Sequence, residues 1–142
     1  MDTRPRSDEV AAGVPLVRIL VVWMLIMLVE TAHGALRAIF LAPRIGDLAA
    51  RQIGVVIGSA LIFAIALATV RWMRTRTPRA QIAAGLLWAA LTLGFEILLG
   101  LALNLDASRI LEDYLPWRGG FMAFGLAFMV AAPRLAAKLR GV

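Results

Sequence analysis

Residues 30–59 read ETAHGALRAIFLAPRIGDLAARQIGVVIGS, and this stretch decides the fold. It places a carboxylate, Glu30, and the chain's only histidine, His33, at the end of one apolar run. It then passes through a polar elbow and enters the next apolar run at Gly54 and Gly58. Sixty-six residues later the pattern returns without a gap. Glu30, Gly34, Asp47 and Gly54 are matched by Glu96, Gly100, Asp113 and Gly120, and Arg74 by Arg140. The shared positions are the unusual ones for a membrane segment, which points to two related halves. Each half holds two apolar segments, so both enter a bilayer in the same sense, related by an axis along the membrane normal.

Composition fixes the solvent. Of 142 residues, 61% are hydrophobic and 17% charged, with a mean hydropathy of +0.83, more apolar surface than a water-soluble domain of this size can bury. The lack of cysteine removes disulfides, thiolate metal sites and cysteine nucleophiles together. One histidine leaves almost no room for a histidine-built metal centre, and no cofactor or metal is implied. The net charge of +6 would point to nucleic acid in a soluble protein. Here the arginines stand at the ends of apolar runs, where they orient the chain and meet lipid headgroups, so nucleic acid is not an expected partner. Neither a P-loop, a GxGxxG, an HExxH nor a GxSxG with partners is present.

The expected fold is an all-α integral membrane protein of four transmembrane helices, arranged as two tandem, parallel two-helix repeats. Residues 1–13 form a mobile tail. The first repeat covers 14–76, with spans at 14–32 and 53–72, and the second covers 77–142, with spans at 80–103 and 119–139. Each apolar run approaches the roughly 20 residues needed to cross about 30 Å of hydrocarbon. Ala32-His33-Gly34 resembles a signal-peptide cleavage site, but cutting there would remove half of a repeat, so retention is expected. The fourth segment is the weakest, since its apolar run meets Pro133 and Arg134. It spans if the helix continues past the proline with Arg134 and Lys138 reaching back to the headgroups.

Orientation follows from the cations. Ten of the fifteen Lys and Arg lie in the tail with Arg18, the middle loop and the C-terminal segment, and five in the two elbows, which places both termini on the cytoplasmic side of the inner (plasma) membrane. The elbows carry helical features. APRIGDLAARQ (42–52) opens on a proline suited to a first helical turn and pairs Arg44 with Asp47 and Asp47 with Arg51. DASRILEDYLPW (106–117) opens on Asp106 as a helix cap and pairs Arg109 with Asp113. A short interfacial helix is therefore expected in each outer elbow, with Tyr114 and Trp117 at headgroup level.

Glu30 and Glu96 are the candidates for chemistry. A carboxylate in a spanning segment costs on the order of 3 kcal/mol to insert, and such residues face a bundle interior and mark proton, ion or substrate sites. Glu30, His33 and Arg37 lie one turn apart and form a polar stripe. Glu30-x-x-His33 has the spacing of carboxylate-bridged metal bundles, but Leu99 stands where the second half would need a histidine. Gly54 and Gly58 make a GxxxG, with Gly120 and Gly125 a looser version, and these are the expected helix-packing positions.

Three functional readings follow. One is a pathway for protons, cations or a small polar solute, built on Glu30, His33, Arg37 and Glu96. A second is an accessory or structural subunit of a larger membrane complex. A membrane enzyme acting on lipid or quinone at the Glu30–His33–Arg37 stripe is a third. Membrane lipids, a second copy of the chain or other membrane subunits are the expected partners.

Overall fold

The computed structural model describes residues 7–142, with side chains from residue 15 onward. Residues 1–6 of the expected tail lie outside the described residues, and from Ser7 the chain is already helical. Four helices are long and apolar enough to cross a membrane, and no strand occurs among the described residues. The architecture is that of a multi-pass helical membrane protein. Its exposed side chains include Met24, Leu28, Val56 and Leu98 in mid-span, a surface that suits lipid and not water.

Helix α1 (Ser7–Leu36) does not stop at residue 32 as expected. It runs through a π turn (Arg37–Leu41) into a short α2 (Ala42–Ile45), so that one helical stretch extends to Ile45. Pro43 is the physical reason. Its nitrogen cannot donate to the carbonyl four residues back, and the ladder widens so that the Ala42 amide reaches the Arg37 carbonyl instead. Gly46, at φ +91°, ends the run in a conformation that suits glycine.

Helix α3 (Asp47–Met73) begins directly after it, with Asp47 in the favourable first turn. Helix α4 (Pro78–Ala102) is capped by Thr77, whose hydroxyl accepts from the Ala80 amide at 3.1 Å, with Pro78 in the first turn. It closes in a Schellman turn: the Leu105 amide reaches the Gly100 carbonyl at 3.0 Å while Asn104 adopts φ +55°. The second elbow holds α5 (Ala107–Glu112) and a 3₁₀ turn (Pro116–Arg118). Asp106 occupies the cap position of α5 by backbone, but its side chain makes no capping hydrogen bond. Helix α6 (Met122–Arg140) passes through the buried Pro133 without breaking, and its 19 residues span about 28 Å.

The long helices form a ring in the order α1, α3, α6, α4. Long helices that follow one another in the chain run antiparallel, with Arg18 of α1 donating to the Trp72 carbonyl of α3 and Arg134 of α6 donating to Gln81 of α4. Helices α1 and α4 are parallel to each other, as are α3 and α6. Contacts are densest where α6 meets α3 and α4, and sparse between α1 and α4. The buried core, with Ile26, Ile62, Val70, Trp88 and Met129, fills the half of the bundle nearer the termini.

The tightest backbone approach is at Gly85, where a methyl group would collide with the backbone of Val130 in α6, whereas one at Gly34 would meet nothing within 4 Å. Gly85→Ala is therefore expected to lower stability by about 1–3 kcal/mol. Gly34→Ala is expected to be neutral or stabilising by up to ~1 kcal/mol through helix propensity. Thermal unfolding of both variants in one detergent checks the contrast, and equal destabilisation would contradict this packing.

Candidate functional site

The half of the bundle nearer the elbows is not packed solid. A half-enclosed cavity of about 440 Å³ lies between the four long helices and the elbows. Its wall includes Glu30, His33 and Arg37 from the first helical stretch, Arg51 and Gln52 from α3, Glu96 from α4, and Asp113 from the second elbow. A smaller cavity of about 60 Å³ continues beneath it, shares Glu30 and Glu96 with it, and reaches Ser59, Thr92, Ile62 and Met129. Room there is for one or two waters at about 30 Å³ each. Ile62 and Met129 belong to the dry core, so the polar space ends at that depth.

The glycines of α3 explain how two charged side chains of the first stretch fit. A methyl group on Gly58 would stand 2.8 Å from Glu30 Oε2, and one on Gly54 would stand 2.6 Å from Arg37 Cδ. Gly54 and Gly58 face the first helical stretch, and what lies on them is an arginine stem and a carboxylate. Gly120 rests against the backbone of Glu112 and Asp113 in its own elbow, and Gly125 meets Val55 of α3.

Within the cavity the charges are only partly satisfied. Glu30 Oε2 is 3.4 Å from His33 Nδ1, while Glu30 Oε1 is buried without a hydrogen-bond partner. The other side-chain ion pairs among the described residues are Arg51–Asp47, Arg51–Asp113, Arg109–Asp47, Arg109–Asp113 and Arg118–Glu112. Glu96 and Arg37 are in none of them, although Arg37 and Glu30 are the charges nearest in effect to Glu96. Nor does Arg44 pair with Asp47, which turns instead to Arg51 at 3.0 Å and Arg109 at 3.5 Å.

The elbow pairs therefore join into one closed ring. Arg51 bridges Asp47 and Asp113, and Arg109 bridges the same two aspartates from the other elbow. Spacing along the helix shows the pairs within each elbow but carries no signal for the two that cross between them. Gln52 is a further link that sequence reasoning passes over: its amide donates to the Gly119 carbonyl at 2.8 Å and ties α3 to the second elbow. Tyr114 has a buried hydroxyl without a partner. Burial, and secondarily the charge of Glu96, push its phenol up to about 12.

No protein family, curated protein or solved structure matches the chain.

Arg51→Gln and Asp113→Asn should each weaken the ring, with a coupling on the order of 0.5–1 kcal/mol that shrinks as salt is raised. A double-mutant cycle at two ionic strengths measures it, and zero coupling at low salt would show that the ring holds nothing together. Tyr114 gives a second test. Its pKa is higher folded than unfolded, so its share of stability is intact below about pH 10 and is lost as pH rises toward 12. Tyr114→Phe should match the parent at pH 8 and lose less stability between pH 10 and 12, read by melting temperature against pH.

Proposed function

We propose that the chain is a small multi-pass protein of the inner (plasma) membrane that forms a pathway or binding site for protons, cations or a small polar solute. The observation that carries this reading is the convergence of Glu30 and Glu96, from two parallel helices, on one cavity in which Glu30 Oε1 has no hydrogen-bond partner and Glu96 no ion pair among the described residues. Carboxylates are costly at membrane depth, and two of them facing the same space call for a proton or cation to neutralise them. His33 and Arg37 hold and balance the pair. The lower cavity gives the site depth, and the dry core below it closes the route toward the other side.

In this reading both termini are cytoplasmic, as the excess of arginine around them favours. The short α5 lies along the opposite membrane surface. The two halves, α1–α3 and α4–α6, descend from a duplication, supported by the matched carboxylates, elbow aspartates and glycines and by the parallel course of α1 with α4 and of α3 with α6. An accessory subunit would need its glycine faces free for docking, and the occupation of Gly54 and Gly58 from within favours the pathway.

In proteoliposomes, flux of protons or of a monovalent cation through the wild type is expected to fall at least ten-fold in Glu30→Gln and in Glu96→Gln, with melting temperatures within a few degrees of the parent. Undiminished flux in the double variant would remove the carboxylates from any pathway.

A further inference from the structure

Within the pathway reading, on which this rests, we infer that the ligand of the large cavity is an organic monocation with an apolar body, an alkyl- or arylammonium, and not a metal ion, an anion or a zwitterion. Charge balance is the first argument. Arg51 and Asp113 neutralise each other inside the elbow ring, which leaves Glu30 and Glu96 facing Arg37 and the imidazole of His33. With the imidazole counted as neutral the surplus is one negative charge, so a monocation makes the site neutral. An anion would add to the surplus, and a zwitterion would leave it standing.

Size and lining are the second argument. About 440 Å³ is far more than one ion needs and matches the range of small-molecule sites. A bare Mg²⁺ or Ca²⁺ would want six or more oxygens, whereas of the three carboxylates on this wall Asp113 is tied to Arg51 and Arg109, and the hydroxyl of Thr31 is spent on the Met27 carbonyl at 2.7 Å. The larger apolar side chains of the wall are Met27, Val55, Phe95, Leu99, Phe121 and Met122. Such a lining receives the body of an organic cation, with the phenyl faces attracting the charged end. A neutral apolar ligand would leave both carboxylates unpaired in a desolvated space.

Access is the third. The hydrogen bonds that join α1 to α4 among the described residues, from Trp88 to the Ile19 carbonyl, from Trp23 to Thr92 and from Thr92 to the Met27 sulfur, all lie nearer the termini than the carboxylates. Beyond Glu30, one turn further along α1, Gly34 lines the cavity with nothing within 4 Å of its missing side chain. An amphipathic cation concentrated at the membrane surface meets the site through this side.

The test uses the full chain in nanodiscs of zwitterionic lipid, with benzyltrimethylammonium, benzyl alcohol, benzoate, Na⁺ and K⁺ as probes, read by melting temperature and titration calorimetry. Benzyltrimethylammonium is expected to raise the melting temperature and to bind, while benzyl alcohol and benzoate do neither. Glu30→Gln, Glu96→Gln and Gly34→Leu, the last of which projects bulk into the cavity, should each weaken its binding at least ten-fold, while Arg37→Gln, which removes a cation that competes with the ligand, should tighten it. Unliganded melting temperatures near the parent's show that each variant is folded. A carboxylate-dependent response to Na⁺, K⁺ or protons without one to benzyltrimethylammonium would overturn the ligand class and leave the pathway standing. Equal binding of benzyl alcohol, or loss of binding in Arg37→Gln, would also overturn it. No carboxylate-dependent response to any cation would overturn both.

Discussion

The indole of Trp88 donates to the Ile19 carbonyl at 3.0 Å, and four residues on, the indole of Trp23 donates to the Thr92 hydroxyl at 3.1 Å. These two bonds pin α1 to α4 across an interface that has few other contacts. An indole N–H in an apolar interior needs an acceptor, and here each finds one on the opposite parallel helix. The pins sit in the half of the bundle nearer the termini, and everything beyond them depends on how far apart they leave the two helices. That separation makes room for the cavity and brings Glu30 and Glu96 to the same space.

The bundle is consequently two materials in series. Toward the termini it is dry, closed by Ile26, Ile62, Trp88 and Met129, and its arginines bind carbonyls at helix ends: Arg18 to Trp72, Arg71 to Arg140 and Arg140 to Leu67. Toward the elbows it is polar and hollow. The charged groups in the hollow are held by shape as much as by pairing, since Glu30 and Arg37 occupy space that exists only because residues 58 and 54 have no side chain. A carboxylate seated in this way keeps one oxygen available, the reverse of the treatment given to Asp47 and Asp113, which are locked between two arginines each.

Four apolar runs of near-span length made the four helices readable from sequence, and the continuation of α6 past Pro133 was readable because Arg134 and Lys138 can reach back to a surface. The run of α1 on to Ile45 was not, because Pro43 looks the same whether it starts a new helix or sits in the widened turn of an old one. Among the charges, helical spacing exposed Asp47–Arg51 and Arg109–Asp113, while the crossing pairs depend on how the elbows dock, which no local pattern encodes. The GxxxG identified where α3 is thin but not what fills the space, and the closest backbone approach was at Gly85, outside that motif. The carboxylates stood out at once. Their convergence on one cavity is a property of the ring order of the helices, and that order is set by packing spread over many ordinary residues.

The ring of charges joining the elbows has a bearing on how the two halves recognise each other. The first elbow, residues 37–52, carries three arginines and one aspartate, and the second, 103–121, carries three acids and two arginines. They are unlike in sign, so the halves attract one another while two first halves repel at the same place. If each half began as a copy of the other, this divergence is what converted a pair of equals into a pair of complements. A polypeptide cut between α3 and α4 should accordingly reassemble as unlike fragments, with the choice of partner written outside the hydrocarbon.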